Sequence, residues 1–141
     1  AIIAVAHDSL IVIGIYSLLW GILPFTMEID QAFIAAILTV IGYSVNDTVV
    51  VYDRLREFLP LHRKRPVNEV INLAMNDTLS RTLNTGIASI LVLLVMFFFG
   101  GATIRGFLFA MIVGVIVGTY SSIFIASSIV YDTTRKKGFK L

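Results

Sequence analysis

Few residues in this chain are equipped for chemistry, and the foremost is Asp47. Val40, Ile41 and Val45 precede it and Val49, Val50 and Val51 follow it, so a helix through residues 41–57 offers the acid no wet face. A charge near the middle of a bilayer costs about 2.5–3.5 kcal/mol on insertion scales. Burial favours the neutral acid, and a neighbouring guanidinium favours the carboxylate. A carboxyl held between those influences changes protonation when its surroundings change, as a proton-coupled machine requires. One charge moved through a membrane potential gains about 2.3 kcal/mol per 100 mV. The alternative is an interhelical hydrogen bond or ion pair that only holds helices together.

Arg81 is the candidate partner. Asp77, Thr78, Asn84, Thr85 and Ala88 share one helical face with it. On the preceding apolar stretch Tyr43, Ser44 and Asp47 share a face with Arg54. Tyr43, Ser44, Asn46 and Thr85 are the polar side chains expected to support Asp47 and Arg81. The two stripes meet if consecutive antiparallel helices are neighbours; an arginine at the end of a span can equally snorkel to headgroups. His7 and Asp8 are expected near the end of the first span, where an interfacial pair is the simpler reading and a part in a proton path the bolder one.

Other chemistry is missing. His7 and His62 make no metal-ligand spacing, the cysteine count is 0, and there is neither a GxSxG nor a P-loop pattern. No catalytic residue, metal site or cofactor is expected, and the chain does not read as an enzyme. The basic run 62–65 lacks interleaved aromatics, which suits anionic lipid better than nucleic acid.

The elements that must position these residues are written in the composition. Of 141 residues 57% are hydrophobic and only 14% charged, and the mean hydropathy is +0.91. A soluble domain of this size needs far more charge to cover its surface. A span needs about 20 mostly apolar residues. Four stretches qualify, at about 2–23, 32–52, 80–99 and 107–131, the third only by borrowing the polar residues 81–86. The reading is an all-α membrane protein: one domain over 1–141, a bundle of four transmembrane helices. Gly100 and Gly101 and the tight return after them make the third and fourth spans antiparallel neighbours. The loop 53–79 carries Pro60 and Pro66, and Val67, Val70, Ile71, Ala74 and Met75 form one apolar stripe. That stripe predicts a short amphipathic cytoplasmic helix, lying on the membrane surface or packed on the ends of the bundle.

Charge placement sets the orientation. Arg54, Arg56, Arg63, Lys64, Arg65 and Arg81 flank or fill this loop, and Arg135, Lys136, Lys137 and Lys140 lie in the tail. All but Arg105 of the 11 basic residues therefore fall on one side of a four-span chain. The positive-inside rule makes that side, with loop 53–79 and the C-terminus, cytoplasmic. Ala110, Gly114, Gly118, Ser122 and Ala126 recur four apart, a helix-packing face that lets backbones approach closely. The N-terminus opens inside an apolar pattern and reads as the cut end of a longer protein, not a signal peptide.

These residues also resemble a family. The run Gly42-Tyr43-Ser44-Val45-Asn46-Asp47-Thr48-Val49-Val50-Val51-Tyr52-Asp53-Arg54-Leu55-Arg56-Glu57 is similar to the signature of the SecF branch of the SecD/SecF family of protein-export membrane proteins. Thr78-Leu79-Ser80-Arg81-Thr82-Leu83-Asn84-Thr85 follows in order, then Phe99-Gly100-Gly101 with Arg105-Gly106-Phe107, then Gly118-Thr119-Tyr120-Ser121-Ser122-Ile123; His7-Asp8 fits as well. The resemblance implies membership of the resistance-nodulation-division superfamily. It also implies work in the bacterial inner membrane with SecD (separate or fused) beside the SecYEG translocon and YidC, helping exported preproteins across on the proton-motive force after SecA has begun the push. It matches the family's membrane acid to Asp47 and its membrane arginine to Arg81, both in the proposed proton path. The family carries six spans and a periplasmic domain, of which the last four spans correspond to this sequence, and Gly86 stands where many members have Ser. A proton-driven small-molecule or lipid exporter of the same superfamily is the rival transport reading, and a structural scaffold of the translocon the rival without transport.

Overall fold

The computed structural model describes residues 2–62 and 64–136, without the side chains of 134–136. Arg63, Lys137 and Lys140, and the side chains of Arg135 and Lys136, which entered the charge count, lie outside it. Four α-helices follow one another: α1 (Ile2–Leu18), α2 (Gln31–Leu61), α3 (Val67–Phe99) and α4 (Arg105–Lys136), the last entered through a 3-10 turn at Ala102–Ile104. α2 and α4 form the centre and each touches all three other helices, while α1 and α3 flank them on either side.

Each boundary has a local cause. Asp30 caps α2, its Oδ1 accepting the Phe33 N–H at 2.8 Å. α2 runs past the expected span end and stops one residue after Pro60, with the His62 N–H donating to the Phe58 carbonyl. Pro66 sits just outside α3 in an extended conformation, φ −61°. Residues 67–99 contain no proline and only Gly86 as a weak point, so nothing ends the helix before Gly100. The expected amphipathic segment is therefore not a separate element: it forms the opening turns of α3. Its stripe packs on the end of the bundle, where Ile71 and Ala74 join Val51 and Leu55 with Val130 and Tyr131 alongside.

The first span also differs from expectation. α1 ends at Leu18 rather than near residue 23, and the chain then turns through Gly21, whose φ of +79° suits a residue without Cβ. At 17 residues α1 is shorter than a full crossing. α2, α3 and α4 are each long and apolar enough to cross. At 1.5 Å per residue, the 33 residues of α3 reach about 50 Å, well beyond a hydrocarbon core of about 30 Å. The overhang falls where α2 ends and α3 begins, among Asp53, Arg54, Arg56, Glu57, Glu69 and Asp77. Large apolar side chains such as Leu91, Val95, Phe98 and Phe99 face outward along α3. That inverts the pattern of a water-soluble bundle and marks a multi-pass membrane protein.

The interior has three layers. At one end Val12, Tyr16, Phe33, Ala36, Val40 and Ala110 make an apolar core. At the other, Val51, Leu55, Ile71 and Ala74 make a second. The buried polar side chains, Asp8, Ser44, Asp47, Thr48, Thr82, Ser121 and Ser122, lie largely between them, with Thr78 toward the second core.

Candidate functional site

The polar layer exists because the helices approach closely there. A Cβ on Gly114 would overlap the side chain of Val40, and one on Gly118 would lie 3.4 Å from the Ser44 Cβ. The small-residue stripe of α4 thus faces α2 inside the bundle. Thr48 and Ser122 share a buried hydrogen bond of 3.1 Å just beyond. On the α3 side, a Cβ on Gly86 would sit 2.8 Å from Thr119 Oγ1 and 3.5 Å from the Tyr43 hydroxyl. Three helices meet at that point with room for a glycine only.

Asp47 occupies this layer. Its side chain is 5% exposed, and its Oδ2 is buried without a hydrogen-bond partner among the described residues. Thr119 Oγ1 and Ser121 Oγ on α4 are buried in the same condition. Native interiors satisfy nearly all such groups, so an acid oxygen buried without a partner is exceptional. Arg81 is exposed on α3 and lines a cavity of about 350 Å³ with Val50, Asp53, Arg54, Glu57, Asp77 and Thr78. Among the described residues no hydrogen bond or ion pair joins Arg81 to Asp47, although their helices α3 and α2 pack together.

The other expected residues divide. Tyr43 and Ser44 lie in the layer. Asn46, a single residue before Asp47 and therefore about 100° around the helix, is exposed and does not join them. Thr85 is exposed as well, and its hydroxyl donates to the Arg81 carbonyl at 2.9 Å. Arg54, on the same α2 face, is bound at the charged overhang: it donates to Asp77 at 2.5 Å and Glu57 at 2.6 Å and lies over the Phe58 ring. Those carboxylates hold its guanidinium above its already high ordinary value. His62 caps α2 and stacks on Phe58.

Asp8 is the principal residue the sequence reading misplaced. It does not sit at an interfacial helix end. Its side chain is 1% exposed, and its Oδ2 accepts from Ser44 Oγ at 2.5 Å. Ser44 lies near the middle of the apolar stretch 32–52, so Asp8 lies at that depth too. The signal was available: Asp8, like Asp47, has apolar residues on both sides, Ile3, Ala4 and Val5 before it and Leu10, Ile11 and Val12 after it.

The family described as "Protein export membrane protein SecD/SecF, C-terminal" matches residues 1–136. The chain belongs to the SecD/SecF family. Among its SecD/SecF relatives, a "Protein translocase subunit SecF" of Rhodothermus marinus is 54% identical over 132 residues, 94% of this chain and 43% of the relative. That of Rhodobacter capsulatus is 47% identical over 130 residues, 92% of this chain and 37% of the relative. A crystal structure of SecDF, "a translocon-associated membrane protein", from Thermus thermophilus superposes with a TM-score of 0.83 at 46% identity, over 96% of this chain and 18% of that one. A structure of SecDF in a "Super-membrane-facing form" gives 0.82 over the same shares. The chain thus spans about two fifths of the curated SecF relatives.

Proposed function

We propose that this chain is the C-terminal transmembrane part of a SecF-type translocase subunit that uses the proton-motive force to promote protein export, with Asp47 as the group that takes up and releases the proton. The observation that carries this reading is the polar layer itself. Asp47 is buried between two apolar cores with an unpartnered carboxyl oxygen, and Arg81 stands on the packed helix α3, lining a cavity with Val50 one turn further along α2. A carboxyl placed so can be neutral when Arg81 is remote and ionised when Arg81 closes on it. Because α2, α3 and α4 meet at Gly86, Gly114 and Gly118, a change in that pairing is transmitted as a helix shift. The chain is not an enzyme in this reading, since the chemistry is proton transfer coupled to motion. It lies in the bacterial inner membrane with residues 53–79 and the C-terminus cytoplasmic, and works with SecD, the SecYEG translocon, YidC and exported preproteins.

The test is Asp47→Asn in the intact SecD–SecF pair, with membrane level and assembly checked, followed by secretion of a preprotein in cells. Export at the level of a deletion, with normal assembly, supports a titrating Asp47. Unchanged export would make Asp47 a packing residue and the chain a scaffold.

A further inference from the structure

The bundle holds a second buried acid that the reading above does not use. Asp8 is tied on two sides. Ser44 Oγ meets one carboxyl oxygen, and His7 Nδ1 lies 3.1 Å from the other. The dyad is asymmetric in exposure, with Asp8 at 1% and His7 at 35%. One face is sealed in the helix interface and the other reaches the outside of the bundle. A tie between helices does not need this chemistry: one turn further along α2, Thr48 and Ser122 join two helices with neutral hydroxyls. An ionisable acid in the same layer carries a larger desolvation cost than a hydroxyl.

The groups facing Asp8 are few. Its own helix supplies His7. α2 supplies Ser44, with Asp47 on the next turn of the same face. α4 brings Gly118 and Ser122 against this part of α2, neither of them titratable. α3 packs on α2 and α4 and carries Arg81, which lines a cavity with Val50 and Arg54 of α2.

We infer that Asp8 is a second titrating carboxyl of the membrane site and that His7 exchanges its proton with the outside of the bundle. This rests on the proton-coupled reading of Asp47. In the protonated state the Asp8 acid donates to His7 Nδ1. Transfer breaks that O–H bond and forms an Nδ1–H bond, leaving a carboxylate beside an imidazolium while Ser44 donates to the carboxylate throughout. The imidazolium then turns its Nδ1–H outward, gives that proton to a water reaching its exposed edge, and turns back as the Nε2–H tautomer with which it began.

The experiment uses the complete subunit with its SecD partner in liposomes. Proton flux under an imposed gradient is read with an entrapped pH-sensitive dye, as a function of pH. Asp8→Asn keeps the volume and still accepts from Ser44, so it preserves the α1–α2 tie. Loss of the gradient-driven flux, together with a flattened pH profile in His7→Gln, supports the inference. Wild-type flux and pH profile in Asp8→Asn overturn it. If that variant does not assemble, Asp8→Glu decides: a displaced profile supports and an unchanged one overturns. Asp47→Asn in parallel separates the two readings. Silent Asp8 variants beside a dead Asp47→Asn remove only Asp8, whereas a silent Asp47→Asn removes the proton reading as well.

Discussion

Gly114→Ala is the smallest perturbation that should disturb the whole site. Its new Cβ would stand 2.7 Å from Val40 Cγ1 and 2.9 Å from Val40 Cβ, and closer still to Cγ2. Carbon atoms rest about 3.5–4.0 Å apart, so about an ångström must be found. Val40 cannot easily turn away, because a β-branched side chain in a helix keeps essentially one rotamer. The helices must part instead. Overpacking of this kind costs about 1–3 kcal/mol. The same separation stretches the Thr48–Ser122 hydrogen bond, now 3.1 Å, past its useful range. In a membrane that bond is worth about 0.6 kcal/mol on average and up to about 1.7. Val40→Ala removes the atoms that collide and alone should cost about 1–3 kcal/mol, as a loss of buried carbons. Together the two changes should couple favourably, the double variant being more stable than the sum by about 0.5–3 kcal/mol. The measurement is denaturant unfolding of the purified SecD–SecF pair in detergent as a double-mutant cycle. Disulfide trapping between cysteines introduced on α2 and α4 would report their separation; this chain has 0 cysteines of its own. If Gly114→Ala is as stable as the wild type, or Val40→Ala fails to relieve it, the close approach of α2 and α4 is not what the packing rests on.

Four further outcomes follow. Thr48→Val should destabilise by about 1–3 kcal/mol because it strands a buried Ser122 hydroxyl, and adding Ser122→Ala should return most of that loss in the same unfolding assay. Asp30→Ala removes the cap on α2 and should cost about 0.5–2 kcal/mol, while Asp30→Ser should largely restore it. Gly86→Ala should lower the melting temperature by forcing Thr119 aside, and Thr119→Ala should relieve it. Arg54→Gln should lower the melting temperature only slightly, by an amount that shrinks with added salt, since its carboxylate partners are exposed. The folded state holds Arg54 above its ordinary value. While its carboxylate partners are ionised its contribution is therefore complete, and on the alkaline side it is lost only as pH rises through that raised value. The difference between wild type and variant should be flat across neutral pH; a slope there would assign the ionisation to another group.

What could be read in the residues alone was whatever depends on local pattern. Long apolar runs with at most one charged residue fix which segments can enter a bilayer, because each unpaired charge at that depth is costly. Pro66, Gly100 and Asp30 fix helix ends through backbone geometry and hydrogen bonding in their own neighbourhood. The acid of residues 41–57 announced itself because its neighbours are apolar on both sides. The small-residue stripe of α4 announced a close contact without naming its partner. The tertiary structure decided everything that depends on depth and facing. It placed Asp8 beside Ser44 rather than at an interface, because relative depth is set by how two helices slide against each other and not by either sequence. It turned Asn46 and Thr85 outward although they flank the expected pair, and laid the stripe of 67–79 on the end of the bundle rather than on a membrane surface. It gathered Asp8, Asp47 and the open hydroxyls of Thr119 and Ser121 into one layer, since only packing of α1, α2, α3 and α4 brings groups so distant in the chain to one height.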